Sequence, residues 1–254
     1  MEHQIIKTEA IVIKERELGE ADKLFTLYTK DFGKIEVLGK GIRKIKAKLK
    51  GGLQILNYIS LEFVEGKNFY IATDAILKNS FSVIKSNIKK FRSGLYIAAL
   101  MDKLLKGQER DDKIWNLFLK TLNTLSFYPS FPSDFQGFNF PIYSLILRYF
   151  EWNLVSLLGL KPELYYCVGC ESKIKTGRFF FSAREGGILD QKCQHKDKKA
   201  IEISRDSIKV LRLIISQKKE ILRRLRINPI EERELKEISR FFLSWILGEE
   251  IFVV

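Results

Sequence analysis

The spacing of apolar residues changes once along the chain, near residue 80, and this change limits the possible folds more than any other feature. Before it, short runs alternate with a period of two residues. The clearest runs are Tyr58–Val64 and Phe69–Thr73, which read as the two strands of a hairpin. After it, apolar residues recur with the period of a helix, as in Trp115, Phe118 and Leu122. This order predicts a β-rich head, either a small barrel or a sandwich, followed by helices.

The same patterns divide the chain into parts. We expect a first domain at residues 1–79 and a helical domain at residues 80–254. Residues 161–200 interrupt the helical domain, because they lack a helical period, are rich in glycine and hold all three cysteines. The apolar but proline-rich stretch 126–141 is predicted to be a loop that folds over the core.

Within the helical part, the pattern predicts which faces are buried and where helices end. Phe91, Leu95, Ala98 and Ala99 fit one face of a helix. Ser204 is an expected N-cap of a later helix. A last helix is expected from about Glu231, with Leu235, Ile238, Phe242, Trp245 and Ile246 facing inward and Gly248 at its end.

The charge balance points to an anionic partner. Lys and Arg total 44 against 31 Asp and Glu, which leaves a formal net charge of +13. Nucleic acid is the commonest partner of a strongly basic protein. Part of this charge is concentrated between two predicted strands, in a glycine-bounded segment with one acid, Glu36. Its basic residues are Lys34, Lys40, Arg43, Lys44, Lys46, Lys48 and Lys50.

This basic segment has two interpretations. Lysines on a flexible loop can follow a phosphate backbone without reading its sequence, and the nearby rings of Phe25, Tyr28, Phe32, Tyr58 and Phe63 could stack on bases. A lysine-rich loop can also be an ordinary solvated surface, and half or more of the rings should fill the barrel core. The prediction of nucleic-acid binding therefore depends on the charges more than on any ring.

The cysteines predict a metal site with an incomplete ligand set. Cys167 and Cys170 form a C-x-x-C pair, which lets two thiolates bind one tetrahedral ion. Cys193 follows at the distance expected of a second pair, but its partner cysteine is absent. Asp190 has the spacing of the missing ligand, whereas His195 has the chemistry that structural zinc sites prefer. The fourth ligand is therefore either His195 or Asp190.

Two other interpretations of the cysteines remain open. The segment 161–200 could have lost its metal and be held by packing alone. A redox C-x-x-C is less favoured, because that motif belongs to a strand–helix unit that the sequence does not predict here.

No motif in the sequence indicates an enzyme. There is no P-loop, no dinucleotide-binding glycine motif, no G-x-S-x-G and no H-E-x-x-H, and no carboxylate pair is placed for a two-metal nuclease. Three cysteines do not form a disulfide framework. No apolar stretch is long enough for a signal peptide or a membrane span, so we expect a cytoplasmic protein that does not bind membranes.

Taken in order, several segments resemble the bacterial RecO family of DNA repair and recombination mediators. They are the opening Lys7–Lys14 and the Gly19-Glu-Ala-Asp22 turn, Phe32–Lys34, Lys40–Lys44, Leu49–Gln54, Leu158–Leu164 before the first cysteine pair, and Phe181-Ser182 with Gly186–Leu189. Each segment is weak by itself, but their order and spacing extend over nearly the full chain.

The resemblance implies an N-terminal OB-fold β-barrel followed by an all-α domain with a zinc-knuckle-like insert. It implies binding of single- and double-stranded DNA, annealing of complementary strands and loading of recombinase, as a mediator located at the nucleoid. The implied partners are RecR and the C-terminal tail of single-stranded DNA-binding protein. The chain departs from the family pattern at Asp190, which stands where the third Cys would be, so retention of structural Zn²⁺ and its ligands are open.

Three functional alternatives remain besides a DNA mediator. The same charges would serve an RNA-binding OB-fold protein, because RNA differs mainly by its 2′-OH. They would also serve a protein-interaction scaffold that binds acidic tails. A metal-dependent nuclease is the least favoured, because the acidic residues are scattered.

Overall fold

The structure, a computed structural model, describes residues 4–44, 48–127, 142–216, 225 and 227–251. The chain forms two compact units, Met1–Phe127 and Tyr128–Val254. The sequence-based boundary at residue 79 coincides with the end of the last barrel strand, and the first unit continues beyond it through three helices. The division into domains 1–79 and 80–254 stays a prediction.

Five strands of the first unit form a closed barrel. They are β1 (Ile6–Leu18), β2 (Asp22–Thr29), β3 (Gly33–Gly39), β4 (Tyr58–Val64) and β5 (Tyr70–Asn79). Their order around the barrel is β1-β2-β3-β5-β4, and β4 pairs with β1 to close it. All pairs are antiparallel except the short β3–β5 pair. This confirms the predicted OB-type barrel.

Strand β2 is buried on both of its faces. Phe25 and Leu27 point into the barrel core, while Leu24 and Tyr28 alternate with them and are also buried. The outer side is covered by helices of the same unit, since the Tyr28 ring stacks on Trp115 with 6.3 Å between centroids. Buried residues therefore follow one another along β2 instead of alternating with exposed residues.

Three helices complete the first unit: α1 (Ser82–Lys85), α2 (Ile88–Leu104) and α3 (Asp112–Phe127). The predicted buried face of α2 is wrong at two of its four residues, because Leu95 is 37% exposed and Ala99 is also exposed, whereas Ala98 is buried and Phe91 is half-buried. The buried face includes Gly94, where an added Cβ would lie 2.7 Å from the Leu56 side chain. Close packing through a glycine replaced the apolar stripe on which the prediction relied.

The second unit combines helices with a small sheet. Its elements are α4 (Ile142–Leu157), β6 (Phe179–Ser182), β7 (Gly187–Asp190), β8 (Ile201–Ile203), α5 (Arg205–Ile215) and α6 (Pro229–Leu247). The three strands form an antiparallel sheet of order β7-β6-β8. The insert thus contributes two strands, β6 and β7, to a sheet that the sequence pattern did not predict. Trp152 joins it to the helices, since its ring stacks on Phe242 and meets Phe181 edge-on.

The helix ends of this unit largely follow the sequence signals. The Ser204 side chain accepts a hydrogen bond from the Ser207 backbone and caps α5, as predicted. Gly248 ends α6 with a φ of 69°. Helix α6 begins at Pro229, earlier than predicted, because Asn228 and Glu231 form a capping box. Trp245 is 51% exposed, so its predicted inward position is wrong.

Some sequence predictions fall outside the described residues. They include residues 128–141 of the loop predicted at 126–141, whose first two residues belong to α3 instead, and the continuation of α5 toward Leu222. Within the described ranges, no helix has both the length and the apolarity required to span a bilayer.

We predict that Trp115→Ala lowers the free energy of unfolding by about 3–5 kcal/mol, because the buried ring fills the space between the barrel and α3. Ile88→Ala is the control in the same unit, at a side chain that is 69% exposed, and it should cost at most about 0.5 kcal/mol. Urea unfolding followed by circular dichroism measures both. Equal losses would contradict the packing described here.

Candidate metal centre and nucleic-acid interface

Four side chains of the insert converge on one point. The ligand atoms of Cys167, Cys170, Asp190 and Cys193 all lie within 4.8 Å of one another. In a tetrahedral zinc site with Zn–S bonds of about 2.3 Å, the sulfur atoms lie about 3.8 Å apart. The cluster therefore has the dimensions of a zinc-knuckle site before any rearrangement.

The first half of the cluster is a tight turn. The Cys167 N–H donates to the Ser172 carbonyl, and the Glu171 N–H donates back to the Cys167 carbonyl, each over 2.8 Å. The Gly169 N–H lies 3.4 Å from the Cys167 sulfur and points a donor at it. An added Cβ at Gly169 would lie 2.9 Å from the Cys193 sulfur, so only glycine lets the two halves approach this closely.

The second half is positioned by the end of β7. The Asp190 N–H donates to the Cys167 sulfur over 3.4 Å, which ties the strand to the first turn. The Cys193 N–H donates to Asp190 Oδ1 over 2.9 Å. The other carboxylate oxygen, Oδ2, accepts from the Cys170 thiol over 3.2 Å and from the Ser172 hydroxyl over 3.1 Å. Oδ2 therefore faces the sulfur atoms.

The cluster combines an ionised carboxylate with a protonated thiol. Burial, with help from the neighbouring thiols and Asp190, raises the pKa of the Cys193 thiol to about 12. Burial would also raise the pKa of Asp190, but hydrogen bonds from Cys170, the Cys193 backbone and Ser172 outweigh it and hold that pKa at about 2. Hydrogen bonds from Ser172 lower the pKa of Cys170. A divalent cation would stabilise the three thiolates together.

His195 stays outside this cluster. Its ring Nδ1 lies 2.8 Å from the Lys192 carbonyl, and the side chain is exposed on the loop beyond Cys193. Among the described residues, the group of side chains that could hold a metal ion contains Asp190 and not His195. The geometry thus favours the ligand that the sequence spacing suggested over the one that zinc chemistry suggested. Three thiolates and one carboxylate fit Zn²⁺, which accepts both types of ligand.

The predicted basic segment is divided between paired and unpaired side chains. Lys34 lies on β3 and is only 19% exposed, and its ammonium donates to the Asp102 carbonyl over 2.6 Å and lies 3.4 Å from its carboxylate. Arg43 pairs with Glu17 at 3.2 Å, and Lys48 pairs with Asp74 at 3.5 Å. Lys34 therefore serves the packing of α2 on the barrel.

The remaining lysines of the segment lie on the connection between β3 and β4. Lys40, Lys44 and Lys50 are exposed, and within the part of the chain that the structure describes none of them makes an ion pair. Lys46 lies outside the described residues. The connection is held to the β1–β2 turn by two hydrogen bonds, from the Gly41 N–H to Asp22 and from the Arg43 N–H to the Ala21 carbonyl.

Most of the rings considered for base stacking are not accessible. Phe25, Tyr28 and Phe63 are at most 2% exposed, because they fill the barrel or pack against α3. Phe32 packs on Phe63, and Tyr58 packs edge-on against Trp115. The expectation that half or more of these rings belong to the core is confirmed, and the charges carry the candidate interface.

Comparison with known proteins agrees with this architecture. Residues 1–81 match the family model described as recombination protein O N terminal, and residues 85–251 match the one described as recombination protein O C terminal. The chain belongs to the RecO family. This confirms the family that the sequence motifs indicated and supports a role in DNA repair and recombination.

Several curated relatives are similar to this RecO-family chain over nearly its whole length. DNA repair protein RecO from Roseiflexus sp. is 29% identical over 250 residues, covering 98% of this chain and 84% of the relative. The protein of the same name from Dehalococcoides mccartyi is 30% identical over 244 residues, covering 96% and 91%. That from Alkaliphilus metalliredigens is 26% identical over 239 residues, covering 94% and 92%.

The structure also shows residues that the sequence analysis did not single out. The Asp102 carboxylate forms ion pairs with both Lys34 and Lys14. The Ser172 hydroxyl donates a hydrogen bond to the Asp190 carboxylate beside the cysteines. Asp102 follows no recognisable motif, so only the fold shows its role. Ser172 was visible two residues after the C-x-x-C pair as a possible hydrogen-bond donor.

We predict that Asp190→Ala weakens zinc binding by more than 100-fold, because it removes a direct ligand, whereas losing an outer partner costs about 10–100-fold. His195→Ala should retain zinc at the wild-type level. Metal content of purified protein and competition with a chelator measure both. Loss of zinc in His195→Ala with retention in Asp190→Ala would overturn the assignment, and Asp190→Cys should bind at least as tightly as wild type.

We also predict that Lys34 and Asp102 are energetically coupled. A double-mutant cycle with Lys34→Ala and Asp102→Ala should give about 1 kcal/mol of coupling, whereas Lys40→Ala should leave stability unchanged. Burial opposes ionisation of Asp102, but Lys14 and Lys34 outweigh it and hold the pKa of Asp102 below its usual 3.8. This stabilisation is therefore complete above pH 3.8 and is lost as the pH falls through the lowered pKa. Coupling that is absent at pH 7 would contradict the pairing.

Proposed function

We propose that this RecO-family chain is a non-enzymatic mediator of DNA repair and recombination that binds single- and double-stranded DNA through the backbone and anneals complementary strands. The observation that carries the proposal is the set of three exposed, unpaired lysines, Lys40, Lys44 and Lys50, on the β3–β4 connection of an OB-type barrel. Arg43 and Lys48 form exposed ion pairs, which are weak and can exchange for a phosphate.

The mechanism follows from electrostatics. Each lysine that meets a phosphate releases condensed counterions, and the gain in their entropy drives binding without base contacts. Two complementary strands repel one another through their phosphates. Neutralising the phosphates of one or both strands therefore lowers the barrier to pairing. Base pairing then supplies the free energy, and no nucleotide hydrolysis is required.

The insert has a structural part in this proposal. Zn²⁺ held by Cys167, Cys170, Cys193 and Asp190 would fix the two turns of the insert against each other. A closed tetrahedral set leaves no open position for substrate, which agrees with a structural and not a catalytic ion.

The partners that the RecO resemblance implies belong to the same proposal. They are RecR and the acidic C-terminal tail of single-stranded DNA-binding protein, and with them the protein would help load recombinase onto coated strands. Such work places the protein at the bacterial nucleoid, in the cytoplasm.

We predict that the triple variant K40Q/K44Q/K50Q binds single-stranded DNA more weakly for every sequence tested. The dependence of log K on log salt should become shallower by up to about 2, because single strands contribute about 0.7 per phosphate contact. Fluorescence anisotropy of labelled oligonucleotides over a salt series measures this, and the annealing rate of complementary strands should fall in parallel.

The matched control is K89Q/R92Q/K120Q, which removes the same charge from exposed positions on α2 and α3 of the same unit. It should retain most of the affinity. Equal effects of the two triple variants would mean that net charge and not this connection governs binding. Preference for an RNA of equal length and sequence in competition would favour the RNA-binding alternative.

A further inference from the structure

The loop that follows β7 carries a second group of unpaired positive charges. Residues 191–199 contain four lysines and one acid, Asp197. Cys193 and Asp197 are buried, and all the other side chains of the loop are exposed. The side chains of Lys192, Lys196, Lys198 and Lys199 are therefore exposed on a segment of nine residues.

The one acid of this loop is occupied in holding its shape. Asp197 is 6% exposed, its Oδ2 accepts from the Ser182 hydroxyl over 2.6 Å, and its Oδ1 accepts from the Lys199 N–H over 2.9 Å. Both carboxylate oxygens thus have partners inside the fold. Its carboxylate is occupied by hydrogen bonds from the loop backbone and from Ser182 on β6, and no lysine side chain of the loop is paired with it.

Three of the four lysines are accordingly free to meet an external anion. Within the described residues, Lys192, Lys198 and Lys199 form no ion pair, and the Lys196 ammonium donates to the Gly169 carbonyl beside the first cysteine pair. The β3–β4 connection differs, because Arg43 and Lys48 there have carboxylate partners.

The loop is also fixed before a ligand arrives. Cys193 anchors it to the cluster, the Lys196 N–H donates to the Cys193 carbonyl, and the Ala200 N–H donates to the Asp197 carbonyl. An ordered loop loses less conformational entropy on binding than a mobile one. The backbone that carries its charges is therefore held in one conformation, which an ordinary solvated chain of lysines does not provide.

The chemistry of the loop favours a phosphate backbone over an acidic protein segment. Its exposed side chains are Lys, Gln and His, with no exposed apolar side chain among residues 191–199 to receive the anchor that peptide recognition uses. Phosphate contacts need only positive charges and hydrogen-bond donors, which these side chains supply.

We propose that the loop of residues 191–199 is a second DNA-backbone contact, separate from the β3–β4 connection, so that one chain can bind two strands at once. The inference rests on the proposed function and deepens it, because annealing requires two strands on the same protein. It assigns the insert a direct part in binding DNA in addition to its structural part.

The test is the number of short oligonucleotides that one chain binds. Oligothymidylates of about 8 nucleotides, titrated at low salt, should bind two per chain to the wild type and one per chain to K192E/K198E/K199E. The barrel variant K40E/K44E/K50E should also bind one. The control R233E/K236E/R240E changes the same charge on exposed residues of α6 and should bind two.

Each other outcome has a definite meaning. Two oligonucleotides bound by K192E/K198E/K199E, or one bound by wild type and lost only in the barrel variant, overturns the second contact and leaves the proposed function standing. No binding by the wild type overturns the proposed function itself. Loss of binding to a polyglutamate peptide in K192E/K198E/K199E, with DNA binding unchanged, would assign the loop to an acidic protein partner and also overturns the inference.

A milder variant guards against misfolding. K192Q/K198Q/K199Q should retain wild-type zinc content and circular dichroism, and it should bind one oligothymidylate per chain at the low salt concentration at which the wild type binds two. Two oligonucleotides bound by this variant, in protein with full zinc content, would contradict the proposal.

Discussion

The positions of the carboxylates decide which basic side chains of this protein can meet a phosphate. An ammonium group that is partly buried against a carboxylate of its own chain, as Lys34 is against Asp102, is held in place by the fold. The same carboxylate receives Lys14, so a single acid on α2 occupies two lysines of the barrel. Such pairs already cancel in the net charge of +13, so the positions of the unpaired lysines, and not the net charge, show where an anion can bind.

In the insert, acidic side chains stabilise the backbone instead of pairing with lysines. Two of its carboxylates, Asp190 and Asp197, are turned inward, one toward the three cysteines and one toward the Ser182 hydroxyl and the loop backbone. Because the acids stabilise the loop from within, the lysines outside are left without partners. The inward position of these acids thus has two results. It orders the backbone of the loop, and it leaves the surface of the loop positively charged.

The sequence predicted the features that depend on local patterns. Alternation in Tyr58–Val64 predicted β4 with its observed ends, and Ser204 and Gly248 marked helix ends correctly. The spacing of Asp190 from Cys193 anticipated the cluster that the structure shows, because a turn of fixed length brings those two residues together.

The features that the sequence could not predict depend on partners distant along the chain. The exposed Leu95 and the buried Gly94 on α2 follow from the close approach of Leu56, which no periodicity shows. Lys34 is paired with Asp102, which lies 68 residues away in the sequence. The lysines of residues 191–199 were visible in the sequence, but their availability depends on the burial of Asp197, which only the fold determines.

The central claim is that unpaired lysines bind the sugar-phosphate backbone without regard to sequence. Its most direct test is the affinity of the wild-type protein for a single strand of about 30 nucleotides over a range of salt concentrations. The three lysines of the β3–β4 connection, at about 0.7 each, predict that log K falls linearly with log salt with a slope of about −2 or steeper, equally for different base compositions. An affinity that does not change with salt, or that depends strongly on sequence at constant salt, would contradict the account.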